Sequence, residues 1–227
     1  MSWQAAQPAE LLSAGIKALN LDCPLDVQAR LLDYVQLLHK WNRVYNLTAV
    51  RDPAQMVTRH LLDSLTVLPH LNEELGKKTE AQRVLDVGTG AGLPGIPLAL
   101  LSVKQYPERR FVLLDSNSKK TRFMRQAVTE LGLGNVQVAH ARTEAFDAGQ
   151  GFDVVLSRAF ASVADMLAGA GQHCVPGGVM LAMKGTDPTA ELAGLHVAFA
   201  LEKVHSLQVP GLNEERHLVC LRRVGWK

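Results

Sequence analysis

A chain of 227 residues, 47% of them hydrophobic, is long enough to bury one full core, and its length suggests one α/β unit with a short accessory segment. Charged residues make up 20% and nearly cancel to +2, so any contact with a nucleic acid must come from local clusters of bases and not from overall charge. Cys23, Cys174 and Cys220 are odd in number and lack a C-x-x-C spacing, which argues against a disulfide framework and a zinc site and fits reduced core cysteines.

Met1 to Leu12 carries neither a basic n-region nor an apolar h-region, so a cytoplasmic location is expected. The longest nearly apolar stretch, Gly92 to Val103, contains two prolines and falls short of the roughly 20 residues that a bilayer requires, so no membrane span is expected. Residues 1–70 read as a helical extension. Leu31, Tyr34, Val35, Leu38, Trp41 and Tyr45 recur at spacings of three and four on one helical face, and Asp26 is placed to help start that helix. Asn46-Leu47-Thr48 matches a glycosylation sequon, which in a cytosolic chain is a chance match. A further helical pattern runs from Pro53, allowed in a first turn, through Met56, Val57, Leu61, Leu62, Leu65 and Leu68 to Pro69.

After a polar link from Asn72 to Gln82 the texture changes to short β-branched or apolar runs alternating with helix-length segments, which is the pattern of βαβ units. Strands are expected at Arg83–Val87, Phe111–Asp115, Val136–His140, Phe152–Ser157 and Val179–Lys184. The intervening helices are expected at Pro94–Val103, Ser118–Leu131, Ser162–Gly171 and Thr189–Leu195. Two alternating runs, Phe199–Val209 and His217–Val224, are separated by Pro210-Gly211 and read as a closing hairpin at one sheet edge. The expected fold is therefore a mostly parallel, Rossmann-like α/β sheet over residues 71–227 with the helical segment 1–70 ahead of it.

The sharpest local signal is Val84-Leu85-Asp86-Val87-Gly88-Thr89-Gly90-Ala91-Gly92-Leu93-Pro94-Gly95, a buried strand running into glycines and then a helix. Gly88, Gly90 and Gly92 remove side chains where something must approach the backbone closely. Gly90 to Gly95 also satisfies the G-x-G-x-x-G of dinucleotide enzymes, with Asp115 beyond it, but that match alone is weak. Asp86 tilts the choice, because a carboxylate there has the wrong sign for a pyrophosphate and suits the cationic methionine end of S-adenosylmethionine. Asp115 ends the second strand, where an acceptor-only carboxylate can take both ribose hydroxyls; the plainer alternative is that it helps cap the following helix. Arg142-Thr143-Glu144 follows the third strand and is placed to flank an adenine, while Ser157-Arg158-Ala159-Phe160 puts an arginine and an aromatic at the same edge.

A wider set of blocks carries a resemblance: His39-Lys40-Trp41-Asn42-Arg43 with Tyr45-Asn46-Leu47-Thr48; Arg59-His60 with Leu62-Asp63-Ser64; the Asp86 to Pro97 loop; Leu114-Asp115-Ser116; Ser157-Arg158-Ala159-Phe160-Ala161; Leu181-Ala182-Met183-Lys184-Gly185; and Glu215-Arg216-His217-Leu218-Val219. Over almost its entire length the chain resembles the glucose-inhibited division protein B family, the bacterial 16S rRNA guanine-N7 methyltransferases. The resemblance implies a class I methyltransferase fold with a helical amino-terminal extension, acting with S-adenosylmethionine on one guanine in the decoding-region loop of 16S rRNA and leaving S-adenosylhomocysteine. It implies cofactor contacts at Gly88, Leu93, Thr143, Glu144 and Arg158. The family often has Pro where Ala91 stands and a Val-Glu or similar pair where Thr143-Glu144 stands.

For the RNA, Lys40, Arg43, Arg51 and Arg59 fall in one segment with the single acid Asp52, and Lys119, Lys120, Arg122 and Arg125 follow the second strand. A third cluster comprises Arg216, Arg222, Arg223 and Lys227. Each is compatible with an ordinary solvated face, and together they make phosphate binding credible. His60 is expected to pack or to bind RNA. Guanine N7 offers an unprotonated lone pair, so no general base and no metal is expected. Two other functions stay open: an NAD-dependent oxidoreductase, disfavoured by Asp86, and a non-catalytic RNA-binding module of ribosome assembly.

Overall fold

The computed structural model describes residues 6–76, 81–158, 160–192 and 195–225. The helical segment comprises α1 (Ala6–Ala18), α2 (Leu25–Tyr45), α3 (Pro53–Met56), a π-helical stretch (Val57–Leu62), α4 (Asp63–Leu65) and α5 (Leu68–Leu75). The face read from spacing is the packed one: Leu31, Tyr34, Val35 and Leu38 are buried, while Trp41 and Tyr45 lie partly buried against the same core. Asp26 lies in the first turn of α2, and the helix ends at Asn46, whose φ of +48° is the left-handed cap that asparagine tolerates.

The sheet comprises β1 (Gln82–Val87), β2 (Arg109–Asp115), β3 (Val136–His140), β4 (Phe152–Ser157), β5 (Cys174–Lys184), β6 (Phe199–Ser206) and β7 (His217–Arg223). Its order is β3-β2-β1-β4-β5-β7-β6. The first five strands run parallel, and β7 and β6 add antiparallel as the expected hairpin at one edge. The connecting helices are α6 (Gly95–Gln105), α7 (Ser118–Glu130) and α8 (Val163–Ala170). Because strand side chains alternate, Val84, Leu156 and Leu181 face one core and Leu85, Val155 and Met180 the other. The first core is shared with α2 and the helices around it, so the helical segment packs on the sheet face that α6 and α7 cover. Arg30 of α2 donates to the Leu131 carbonyl just after α7, and Trp41 meets Phe123 edge to face at 5.7 Å.

Three expectations are corrected. Pro69 opens α5 in its first turn, where a missing N–H is tolerated, so Asn72 is helical and not part of a link; residues 77–80 of that link lie outside the described residues. The helix expected at Thr189–Leu195 is only a 3-10 turn, Thr189–Glu191, started by the Asp187 side chain; too few residues are present to repay helix nucleation, and Ala193 and Gly194 lie outside the described residues. Strand β5 begins at Cys174 and not Val179, because Pro176-Gly177-Gly178 reads as a turn but forms an irregularity inside the strand. Among the described residues no helix is long and apolar enough to cross a membrane.

Candidate functional site

The strand order reverses between β1 and β4, and in such sheets ligands occupy the crevice beyond the carboxyl ends of the strands at that point. The loop from β1 into α6 lies there. Gly90 has a φ of +63°, and a Cβ on it would meet only Lys120 Nζ, 3.8 Å away, so a side chain would strain the loop and project into open space. Gly95 is required for a different reason: a Cβ would come within 2.3 Å of Leu113 Cδ2 and 2.8 Å of Asp86 Oδ2. Only glycine lets α6 lie this close to the strands.

Asp86 is fully buried. Its Oδ2 accepts from Thr89 Oγ1 at 2.5 Å and from Gly95 N at 2.8 Å, while Oδ1 has no partner among the described residues. Burial pushes its carboxyl up to about 7. The residue expected to face the cationic end of a cofactor therefore braces the loop against α6, and it lines none of the three cavities around the loop. From the helical segment, Tyr34 Oη donates to the Ala91 carbonyl at 2.8 Å and holds the loop from the opposite side.

The first cavity, about 300 Å³, opens over the ends of β1 and β2 and is lined by Gly88, Leu114, Asp115, Lys120, Thr143 and Glu144, among others. Asp115 is 7% exposed; its Oδ2 accepts from Gly90 N at 2.9 Å and its Oδ1 from Asn117 N at 2.8 Å. Each oxygen keeps a lone pair for a hydroxyl. Capping of α7 falls to Asn117, which accepts from Lys119 N and Lys120 N, so the capping alternative for Asp115 is not needed. Thr143 and Glu144 belong to a 3-10 turn after β3.

A second cavity, about 170 Å³, is lined by Leu47, Thr48, Gly88, Gly90, Leu93 and Arg158 with the rest of the loop. A third, about 310 Å³, is lined by Arg59, His60, Asp63, Arg158, Lys184 and Arg216, among others. Gly88 lines the first two and Arg158 the last two, so the three cavities adjoin in a row, a trough of three compartments across the switch point. The π-helical stretch supplies Arg59 and His60, and such local widening of a helix is frequent at functional sites. His60 is 6% exposed, with Nε2 2.9 Å from Thr48 Oγ1. Burial, aided by the charge of Arg158, lowers its pKa to about 4, so the ring is neutral near pH 7.

Asp63, which carried no role in the sequence, is the hub of the third cavity. It is buried and accepts from Arg158 NH1 at 2.9 Å and Arg216 Nε at 3.0 Å. Its position in the Arg59 to Ser64 block was the only signal for it. Lys184 donates to the Ala161 carbonyl at 2.7 Å and pairs with Glu191 at 2.9 Å. Phe160, the aromatic after β4, is half-buried against the α8 core.

The basic residues divide. Lys40, Arg43, Lys119 and Arg122 are exposed, on α2 and α7, and Lys120 reaches back to the first cavity. Arg59 lies at the third cavity with Arg216, and His60 is reached only from within it. Arg222 is committed elsewhere, to Glu74 and Glu202 at 2.7 Å, and Lys227 lies outside the described residues.

Residues 27–219 match the family model described as rRNA small subunit methyltransferase G. The chain is 50% identical over 215 residues to the ribosomal RNA small subunit methyltransferase G of Methylococcus capsulatus, covering 95% of this chain and 98% of that protein. It is 49% identical over 214 residues to the protein of the same name from Neisseria meningitidis, covering 94% and 98%. In fold it is similar to a SAM dependent methyltransferase from Aquifex aeolicus, with a TM-score of 0.53, 20% identity, and 76% of this chain and 99% of that chain covered. TrmN from Thermus thermophilus gives a TM-score of 0.54 at 19% identity, covering 74% and 53%. With the trough at the switch point, the glycine loop that opens it and near-complete coverage of both chains by these relatives, the protein belongs to the rRNA small subunit methyltransferase G family.

Proposed function

We propose that the protein methylates N7 of one guanine in the decoding-region loop of 16S rRNA, within the RNA or the small ribosomal subunit. S-adenosylmethionine is the methyl donor, and bound in the trough it supplies an electrophilic sulfonium methyl group. The observation that carries the reading is that Arg158 lines both the cavity at the glycine loop and the cavity rich in arginine, so one side chain stands between a donor end and an acceptor end. Residues 71–227 form the donor-binding part, and residues 1–70 contribute contacts to the RNA.

The residues divide the work by chemistry. Asp115 takes the ribose hydroxyls, and the Thr143-Glu144 turn flanks the adenine. Gly88, Gly90 and Leu93 line the methionine end, where Gly90 leaves the space open; Asp86 acts from behind them by fixing the loop. On the acceptor side Asp63 is spent on two arginines, His60 holds Thr48 through Nε2 and with a pKa of about 4 is a weak base, and the other ionisable residues lining it are cations. Such a cavity is poor at removing a proton and suits a nucleophile that has none to lose. Guanine N7 is that nucleophile: the reaction moves a positive charge from sulfur to the purine ring and releases no proton. Rate enhancement then comes mainly from holding N7 in line with the methyl carbon, an effect of about 7–11 kcal/mol in favourable cases. The N7 edge is hidden in the deep major groove of A-form RNA, so the acceptor must be a loop nucleotide or an extruded one.

The test is transfer of a labelled methyl group from S-adenosylmethionine to rRNA from cells lacking the protein. Labelling of 16S rRNA supports the reading. RNA binding without transfer would instead leave a non-catalytic assembly module, and binding of NAD but not S-adenosylhomocysteine an oxidoreductase.

A further inference from the structure

The β6–β7 connection brings an acid into the basic rim of the acceptor cavity. Glu214, 44% exposed, accepts from Arg59 NH2 at 2.5 Å, from Arg59 NH1 at 3.2 Å and from Arg216 NH2 at 2.9 Å. On the inner side, Asp63, with 3% of its side chain exposed, accepts from Arg216 Nε. The two carboxylates thus differ in kind: Asp63 anchors Arg216 and Arg158 from within the core, whereas Glu214 joins Arg216 to Arg59 at the exposed rim. A carboxylate shared by two guanidinium groups uses the same donors, in the same fork geometry, that a phosphate uses. Arg59 and Arg216 line the acceptor cavity.

We propose that Arg59 and Arg216 form a clamp for one RNA phosphate beside the acceptor nucleotide, and that Glu214 is its resident competitor, displaced when the RNA binds. The inference rests on the reading of the trough as an rRNA methyl-transfer site. The connection has anchors other than Glu214: Leu207 N donates to the Arg216 carbonyl at 2.7 Å at its base, and Leu212 packs on the core. Only the glutamate side chain has to rotate. Hydrogen bonds from Arg59 and Arg216 hold its carboxyl below the usual value, so the competitor is charged wherever the RNA is intact. With Glu214 in place the local group of Arg59, Arg158, Arg216, Asp63 and Glu214 is three cations against two acids, and its displacement leaves three against one.

The experiment measures binding of transcribed 16S rRNA over a series of salt concentrations for the wild type, Glu214→Gln, Glu214→Ala and Glu215→Gln, the last removing an exposed charge one residue away that makes no side-chain contact to Arg59. Both Glu214 variants are expected to bind about two- to five-fold more tightly at low salt, with a log-log salt slope close to that of the wild type because the same phosphate is neutralised in each. Glu215→Gln is expected to change affinity by less than about two-fold, the long-range effect of one screened charge. Melting temperature and affinity for S-adenosylhomocysteine should match the wild type in all three. Weaker or unchanged binding by the Glu214 variants, or a gain equalled by Glu215→Gln, overturns the clamp. Methyl transfer is read in parallel: a wild type that binds RNA but transfers nothing removes the methyltransferase reading, while one that transfers normally and whose Glu214 variants behave like wild type removes the clamp alone.

Discussion

His60 is buried beside arginines, and its pKa of about 4 lies below the ordinary 6.5. Between those values the unfolded chain binds more protons than the folded one, so this residue's contribution is fully present above 6.5 and is lost as pH falls toward 4. Asp86 acts in the opposite sense, because its carboxyl titrates at 3.8 when unfolded and at about 7 when folded, so stability declines as pH rises across that interval. In a His60→Asn protein, melting temperature should therefore fall with rising pH between about 4.5 and 6.5 more steeply than in wild type. A difference of the opposite sign would mean that the imidazole is charged in the fold. Catalysis gives a second readout: with both substrates saturating, single-turnover transfer should be flat between about pH 6 and 8.5, and because a base titrating near 4 would be flat there too, His60→Asn should keep the wild-type rate, whereas loss of a histidine base would lower it by about 100-fold or more. Asp115→Ala should weaken S-adenosylhomocysteine binding by about 1.5–3 kcal/mol and leave RNA affinity nearly unchanged. Calorimetry decides this, and a lower melting temperature at unchanged affinity would return Asp115 to a purely structural role. At this scale Asp115, Gly90 and Arg158 were legible because strand ends and glycines have local signatures. Asp63 and Glu214 were not, since the partners of Asp63 lie 95 and 153 residues away along the chain and Glu214 reaches Arg59 across 155.

The strands were legible as elements because the runs are short, rich in β-branched residues and bounded by polar or glycine-containing segments, and β3 and β4 have the expected limits. What the pattern missed was set by context. Pro69 is compatible with either end of a helix, and the packing of Leu68, Leu71 and Leu75 decided for a start. The helical segment holds the loop by a hydrogen bond from Tyr34 Oη to the Ala91 carbonyl, with both residues buried in a core that the two share. Tyr34→Phe should lower stability by about 1–3 kcal/mol, the cost of leaving a buried acceptor unpaired, and should loosen cofactor binding through the same loop. Denaturation and calorimetry on one preparation check both; a variant as stable as wild type would show that α2 does not brace the loop.

Across the whole molecule, a net charge of +2 gives no strong field to attract RNA, so the proposed RNA binding calls for local clusters of bases, and the exposed ones on α2 and α7 and the arginines at the acceptor cavity are the candidates. Neutralising Lys40 and Arg43 together, and separately Lys119 and Arg122, should flatten the salt dependence of rRNA binding by about 0.7–0.9 for each phosphate that is no longer neutralised, with cofactor affinity unchanged. An unchanged slope in either pair would remove that helix from the footprint. A donor end joined to an acceptor end that is poor at removing a proton commits the reaction to a product formed without proton loss. The measurement is a single turnover on 16S rRNA with labelled S-adenosylmethionine, followed by digestion and identification of the labelled nucleoside by mass spectrometry. The account requires the label in 7-methylguanosine; label on an exocyclic amine, a ring carbon or a ribose hydroxyl, each of which must lose a proton, would contradict it.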